Sequence, residues 1–540
     1  MAPRRILSLH LPLLPTDRIA RQRWGAGWRL CARPETPPLV VAGSRNNAMR
    51  LTALDEAAIA NGLYRGQALT DARAILPELD CISEDGSADR RLLSAIADWC
   101  DRYTPLISCE MPDWPQSHAC DGNLFLDITG CAHLFGGEEA LLKDLLARLF
   151  NQGFAASAAI APTPGAAHAL ARFQAQTGVA SLPMAAAIAA SPGDLAAQLA
   201  SLPVAALRLP NETVSALARV GLQTIAHVMT RPRAPLARRF GKELLLRLDQ
   251  ALGDCEESIS PRMPAPSLMA ERRFAEPIGL IEDIERIVLR LATHLNTAME
   301  QRGEGARLLD LALWRVDGKV FRLAAAASRP LREPLVMLNL FRERFASLND
   351  EFDAGCGFDM IRLGVGRSEK LNPAEPAFDA QDTGAGAACD LVDRLSARLG
   401  PQAVVRPCLE DSHLPERSEK FVPAIQQNRN RIPGVVAPPP GPPPLRPLRL
   451  FAHPEPVDAM AGLPDGPPLR FRWRRLLHEV IRSEGPERIA GEWWRVGASG
   501  IERDYFRVED RLGRRFWLFR EGLYGDAQVV PRWFIHGLFA

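Results

Sequence analysis

Two segments decide how this chain is read: Leu124-Phe125-Leu126-Asp127-Ile128-Thr129-Gly130-Cys131 and Arg5-Ile6-Leu7-Ser8-Leu9-His10-Leu11. Both are short, largely apolar runs with the character of buried strands. The first continues through Gly136-Gly137 into an amphipathic helix over 138–150, giving strand, turn, helix. A further strand over 155–160 and a helix over 168–174 follow. Strands alternating with helices indicate an α+β or α/β layer.

Working outward, residues 1–30 predict a strand and then a helix beginning near Thr16-Asp17. A strand over 38–41, a helix over 54–61 stopped by Gly62, and a helix over 68–76 ended by Pro77 come next. A polar loop at 84–86 leads into a long amphipathic helix over 89–103. From Leu202 the character changes. A helix over 211–220, a turn at Gly221-Leu222 and a helix reaching Met229 have the layout of a helix-hairpin-helix, which offers backbone N–H groups to DNA phosphate. Arg231, Arg233, Arg238, Arg239 and Lys242 lie directly downstream. Such a cluster reads either as a phosphate-binding strip or as a solvated face.

Residues 270–366 predict the order β-α-β-β-α-β, with Asp317-Gly318 as a hairpin turn. Trp314 and Arg322 fall on the strand phase opposite Leu313 and Leu323, on a sheet face that could lie on DNA. Periodicity is lost over 367–445, which ends in a Pro-rich stretch at 433–444 suited to a semi-rigid spacer. Beyond it, 446–540 holds five of the ten tryptophans, and Gly-Glu-Trp-Trp at 491–494 and Phe-Trp-Leu-Phe at 516–519 predict strands of a compact β domain. Its aromatics and arginines suit either nucleobase stacking or a core.

At 540 residues and 47% apolar content the chain holds several domains with packed cores. No run is long enough to span a membrane, and the N-terminus lacks a secretory cleavage pattern, so a soluble cytoplasmic protein without membrane contact is expected. The ten cysteines form no CxxC pair, which predicts reduced, mostly buried thiols. Net charge is +1, yet 60 of the 65 basic residues are arginine, a bias that a high-GC genome produces and that also suits phosphate.

Taken in order, these pieces resemble the Y-family of translesion DNA polymerases, most closely its ImuB branch. Besides the opening segments, the match is carried by Gly62-Leu63-Tyr64-Arg65-Gly66-Gln67-Ala68-Leu69, by Ala72-Arg73-Ala74-Ile75-Leu76-Pro77, by the continuation Ala132-His133-Leu134-Phe135-Gly136-Gly137, and by Asp411-Ser412-His413-Leu414-Pro415-Glu416-Arg417. The resemblance implies a right hand: palm over 1–190 with fingers inserted at about 35–80, thumb over 191–260 and little finger over 265–366. A variable region with the Pro-rich linker (367–445) and a Trp-rich β extension (446–540) follow.

The family's chemistry does not carry over. Its two-metal site needs converging carboxylates, because Mg²⁺ takes oxygen ligands. Here His10 and Pro12 stand at the first acidic pair, and Gly122 and Asn123 at the second, with Asp121 one residue out of register. The triphosphate-holding segment falls near Glu56 to Ile59 without an arginine, and the palm lysines map to Pro164 and His168. No cofactor is expected, Mg²⁺ entering only if the chain were an active polymerase with an atypical site using Asp121. The resemblance implies a non-catalytic scaffold in damage-induced, error-prone synthesis. Its partners would be DNA, a replicative-type error-prone polymerase subunit, a small RecA-like partner of the ImuA type, and the sliding clamp. The clamp peptide is degenerate at Gln381-Asp382-Thr383-Gly384, while Met337-Leu338-Asn339-Leu340-Phe341 resembles it from within a predicted helix.

Overall fold

A computed structural model describes the chain except for residues 1–3, 32–35, 46, 111–121, 175–183, 189–191, 264–265, 267, 349–351, 372–384, 427–444, 463–465, 493, 495–501, 523–530 and 540. Asp121, the Gln381–Gly384 peptide and the Pro-rich stretch therefore lie outside the described residues. The chain divides into two compact units, one made of 1–325 with 330–375, the other of 326–329 with 376–540.

In the first unit, β1 (Ile6–Leu11) leads into α1 (Leu14–Trp24). This helix starts two residues before the predicted cap, because Pro15 suits its first turn and Thr16 and Asp17 are turned inward and buried. Next come β2 (Leu39–Arg45), β3 (Ala48–Leu54), α2 (Glu56–Ala60), α3 (Leu69–Ile75) and β4 (Asp80–Ser83), a three-stranded sheet of order β3-β2-β4 with its own small core around Val40, Leu51 and Leu63. Asp85 caps α4 (Gly86–Cys100) by accepting from the Ser87 and Ala88 amides, setting this helix one turn earlier than its hydrophobic pattern suggests. After β5 (Ile107–Glu110), β6 (Gly122–Asp127), α5 (Glu138–Asn151), β7 (Ala156–Ala161), α6 (Pro164–Ala169) and β8 (Met184–Ile188), the central sheet has the order β5-β6-β1-β7-β8.

Strand alternation gives this sheet two faces. Leu7, Leu9, Leu11, Leu124 and Leu126 pack beneath α4 and α5 with Trp99, Leu141 and Leu145. Ile6, Phe125 and Ala159 face the other way, into a core shared with α6, α7 (Pro192–Ala200), α8 (Asn211–Arg219), α9 (Ile225–Met229), α10 (Arg233–Phe240) and α11 (Lys242–Leu252).

The sheet of order β11-β10-β12-β9 is built from β9 (Leu268–Ile278), α12 (Ile281–Arg302), β10 (Glu304–Arg315), β11 (Val320–Leu331), α13 (Pro334–Leu348) and β12 (Phe358–Lys370). Gly318 turns the β10–β11 hairpin with a φ of +93°, open to glycine without strain. Met337, Leu338, Leu340 and Phe341 of α13 are buried, so the clamp-like sequence is core.

The second unit holds α14 (Ala385–Leu399), a hairpin of β13 (Val405–Leu409) and β14 (Glu419–Pro423), and a closed six-stranded barrel. The region expected to lack periodicity thus contains regular structure. The barrel runs β15 (Arg449–Ala461), β16 (Pro468–Trp473), β17 (Leu476–Ile489), β18 (Arg503–Asp510), β19 (Arg515–Glu521) and β20 (Arg532–Leu538), with β20 pairing back onto β15. Phe471, Phe506, Val508, Phe516 and Trp533 form its core, and Trp517 and Phe519 are buried on another face of the same strands. These aromatics serve packing rather than base stacking. Gly491, Glu492 and Trp494 are not in a strand, contrary to expectation, and the Glu492 carboxylate is buried 3.4 Å from Arg417. Among the described cysteines Cys100 is buried, while Cys31 and Cys356 are exposed, so burial of thiols is less general than expected.

Candidate functional site

Two of the degenerate positions, His10 and Asn123, meet on the central sheet. His10 lies opposite Asn123 on β6 and opposite Ser157 on β7. By strand alternation Ser8, His10, Asn123 and Ser157 share the face away from α4 and α5. All four are buried. The Ser8 hydroxyl donates to Asn123 Oδ1 at 3.0 Å. Asn123 Nδ2, Ser157 Oγ and His168 Nδ1 have no hydrogen-bond partner among the described residues despite being buried. Burial holds the His168 imidazole well below its ordinary pKa, and Arg208, Arg172 and His10 push in the same direction, so it is neutral.

Among the described residues this face presents amide, hydroxyl and imidazole groups, whereas a hard dication in a nucleotidyl-transfer site is held by carboxylates. Asp127, the nearby acid of β6, lies at the other end of the strand opposite Ile6, where it accepts from the Thr129 amide at 3.0 Å and sits 3.7 Å from Arg4. Gly122 belongs to the opposite face: a Cβ there would stand 2.7 Å from Leu93 Cδ1 and 3.1 Å from Leu14 Cδ2, so a larger residue would have to displace these leucine side chains. Pro12 follows β1, and its carbonyl accepts from Arg65 at 2.6 Å. Glu56 pairs with Arg29 at 2.9 Å, and Pro164 is buried on α6. Among the described residues no group of three or more His, Cys, Asp or Glu is placed to hold a metal.

The thumb strip is different. Gly221 turns between α8 and α9 with a φ of +79° and open space where a Cβ would lie. Thr224 caps α9 by accepting from the His227 amide, and Leu217, Leu222, Ile225 and Val228 anchor both helices in the core. Downstream, Arg231, Arg233, Arg238, Arg239 and Lys242 are all exposed. Arg233 is tied to Asp249. For Arg231, Arg238, Arg239 and Lys242 no carboxylate partner is present among the described residues, so four cations project from one short stretch. Exposed, unneutralised guanidinium and ammonium groups are what phosphate oxygens pair with.

Trp314 and Arg322 are not on an open face, and that expectation is corrected. Trp314 has no exposed surface; its indole N–H donates to the Trp99 carbonyl at 3.2 Å, and it packs with Ala312 and Met360 into the core beneath α4 and α5. Arg322 is bound to Asp101 and lies 3.7 Å from Asp98. Around them Arg102 reaches Asp359 at 2.8 Å, Arg148 reaches the same carboxylate at 2.9 Å, and Arg362 bridges Glu271 and the Asp101 carbonyl at 2.8 and 2.9 Å. The face is apolar at Trp314 and Met360, which is why it is covered. The alternation of β10 identifies the face, but the partners Trp99 and Asp359 are distant in sequence and left no local signal.

Two stretches match the impB/mucB/samB family and its C-terminal domain, over residues 26–172 and 265–381 respectively. Protein ImuB of Caulobacter vibrioides is 40% identical over 494 residues, covering 88% of this chain and all of that protein. The chain belongs to the ImuB family. DNA polymerase IV of Shewanella woodyi is 23% identical over 270 residues, covering 50% of this chain and 70% of that enzyme. Among solved structures, DinB from Sulfolobus solfataricus aligns with a TM-score of 0.37 at 13% identity, over 68% of this chain and 100% of that one. A Dbh ternary complex aligns at 0.36 and 12%, over 66% and 98%. The ImuB-family chain thus has a Y-family polymerase-like amino-terminal region and a β-barrel extension, and none of its described helices is long and apolar enough to cross a membrane.

Proposed function

We propose that this protein is a non-catalytic Y-family homologue that binds DNA and its protein partners during error-prone synthesis past damage. The observation that carries the reading is the palm face itself, where His10 and Asn123 fall at positions of the family's metal-holding carboxylates and stand beside Ser8, Ser157 and neutral His168. A pair of Mg²⁺ ions stabilises both the attacking and the leaving oxygen, and without them phosphoryl transfer lacks its main electrostatic support. DNA binding is supported by the exposed strip Arg231–Lys242 beside the helix-hairpin-helix. Error-prone polymerase, RecA-like and clamp partners come with the family reading.

The test is primer extension by the purified full chain on intact and damaged templates with Mg²⁺ or Mn²⁺, alongside DNA titrations at two salt concentrations. No extension together with salt-weakened binding is expected. Extension lost in Asp121→Ala would overturn the reading and install an active polymerase with an atypical metal site.

A further inference from the structure

The segment Asp411–Arg417, singled out in the sequence but unused by the DNA-binding reading, is the tip loop of the β13–β14 hairpin and lies on the outside of the barrel. Leu414 is buried among Ile489, Tyr505, Trp517 and Phe519. Two residues on, Glu416 meets Arg503 at 2.7 Å. Arg417 reaches Glu492, and the His413 ring bonds the Ala490 carbonyl at 2.7 Å. These contacts have the form of a bound peptide: one aliphatic anchor in an aromatic pocket, flanked by charged pairs.

Its attachment is by side chains. The loop's backbone hydrogen bonds among the described residues are local, from Glu410 to Ser418, Ser412 to Glu410 and Arg417 to Leu414. The hairpin behind it is two-stranded, with Val405, Leu409 and Phe421 exposed, and an isolated two-stranded hairpin has little stability of its own. One polar contact is left open. Glu416 Oε2 and His536 Nε2 are 3.9 Å apart, and both lack a hydrogen-bond partner among the described residues. The loop can therefore leave without breaking a strand ladder of the barrel, as low-stability local openings do.

We propose that residues 411–417 form a releasable latch on a peptide-binding groove of the barrel, and that the groove accepts a partner peptide of the same chemistry, a leucine followed two residues later by a glutamate. The chain carries a ligand for its own groove in cis, so a partner segment binds only when the latch is off.

The probe is a fluorescent synthetic peptide of residues 409–419, titrated into the full chain and into a full-length Leu414→Asp/Glu416→Arg variant. At least tenfold tighter binding to the variant is expected, lost when the peptide carries Leu414→Ala. A cooperatively folded variant that binds no better than the unaltered chain would overturn the proposal. Should the variant fail to fold, a Leu414→Cys chain supplies the second test. Alkylation at that cysteine that is insensitive to low urea marks local release, whereas alkylation rising with the urea slope of global unfolding shows the loop to be a fixed part of the barrel and rejects the latch.

Discussion

In the contact between the palm helices and the β9–β12 sheet, Arg102, Arg148, Arg322 and Arg362 all end on carboxylates, while in the thumb Arg231, Arg238, Arg239 and Lys242 end on none among the described residues. Both regions look equally basic in the sequence. The difference teaches that arginine content says little about nucleic-acid binding until the acids are placed: a paired guanidinium cements the fold, and an unpaired exposed one is available to phosphate. It also separates two sheet faces. Among the described residues the palm face holds a buried polar set, whereas the β10–β12 face is apolar at Trp314 and Met360 and is covered.

The largest expected effect comes from breaking the sealed side. Trp314→Ala removes a fully buried indole and its hydrogen bond to Trp99, and a loss of about 3–5 kcal/mol is expected in a urea titration of the full chain. DNA affinity among the still-folded molecules should stay within about twofold, since no described surface of this residue is available to DNA. A marked rise in affinity would mean that the sealed face opens onto DNA, and the contrast between the two regions would fall.

The second prediction addresses the open side. Replacing Arg238, Arg239 and Lys242 together by alanine should weaken DNA binding at least about tenfold at low salt. The slope of log affinity against log salt should drop by up to about three, roughly one for each phosphate that is no longer neutralised. Folding stability should change little, because all three side chains are exposed. Titrations at several salt concentrations check this, and an unchanged slope would remove the strip from the interface.

A third prediction asks whether pairing alone makes a buried arginine contact favourable. Asp17 accepts from Arg29 at 2.7 Å and from the Ala155 amide at 2.8 Å, yet burial pushes its carboxyl up from 3.8 to about 7 against the lowering effect of Arg29. A folded-state pKa above the unfolded one favours folding while the group is protonated. This contribution is complete below about pH 4 and is lost as pH rises through about 7. Urea titrations across that window should show stability falling from this source, and Asp17→Asn should flatten the fall. A steeper fall in the variant would show that the ionised pair is the favourable state.

Much of the architecture was legible because it is written in local periodicity. The β-α-β-β-α-β order over 268–370 follows from alternating segments and the Asp317-Gly318 turn, and the helix-hairpin-helix from its leucines and Gly221. Of the palm positions singled out in the sequence, His10 and Asn123 fall opposite each other in register. What the residues could not disclose was which face is covered and by what. Trp314 and Trp99 are 215 positions apart in the chain, and nothing near either names the other. The latch was visible as the motif Asp411–Arg417, but its groove is assembled from β17, β18 and β19 and exists only after the barrel closes. Helix starts shifted for a simpler reason: Asp85 and Pro15 set them by capping and backbone geometry, which outweigh the apolar pattern.

The smallest effect is the sharpest test of the contrast. Arg322 and Arg238 are both arginines on surface-reachable elements, but the Arg322 side chain is 31% exposed and already bound to Asp101, while Arg238 is exposed and has no such partner among the described residues. An ion pair open to water contributes about 0–1 kcal/mol, so Arg322→Ala should move the urea midpoint only slightly and leave DNA affinity and its salt slope unchanged. Arg238→Ala should do the reverse, with no change in stability and a slope smaller by about one. Titrating DNA into both single variants under identical salt separates the two roles. Equal losses of affinity would show that DNA pulls Arg322 away from Asp101, and pairing in the free protein would then no longer distinguish structural from DNA-facing arginines.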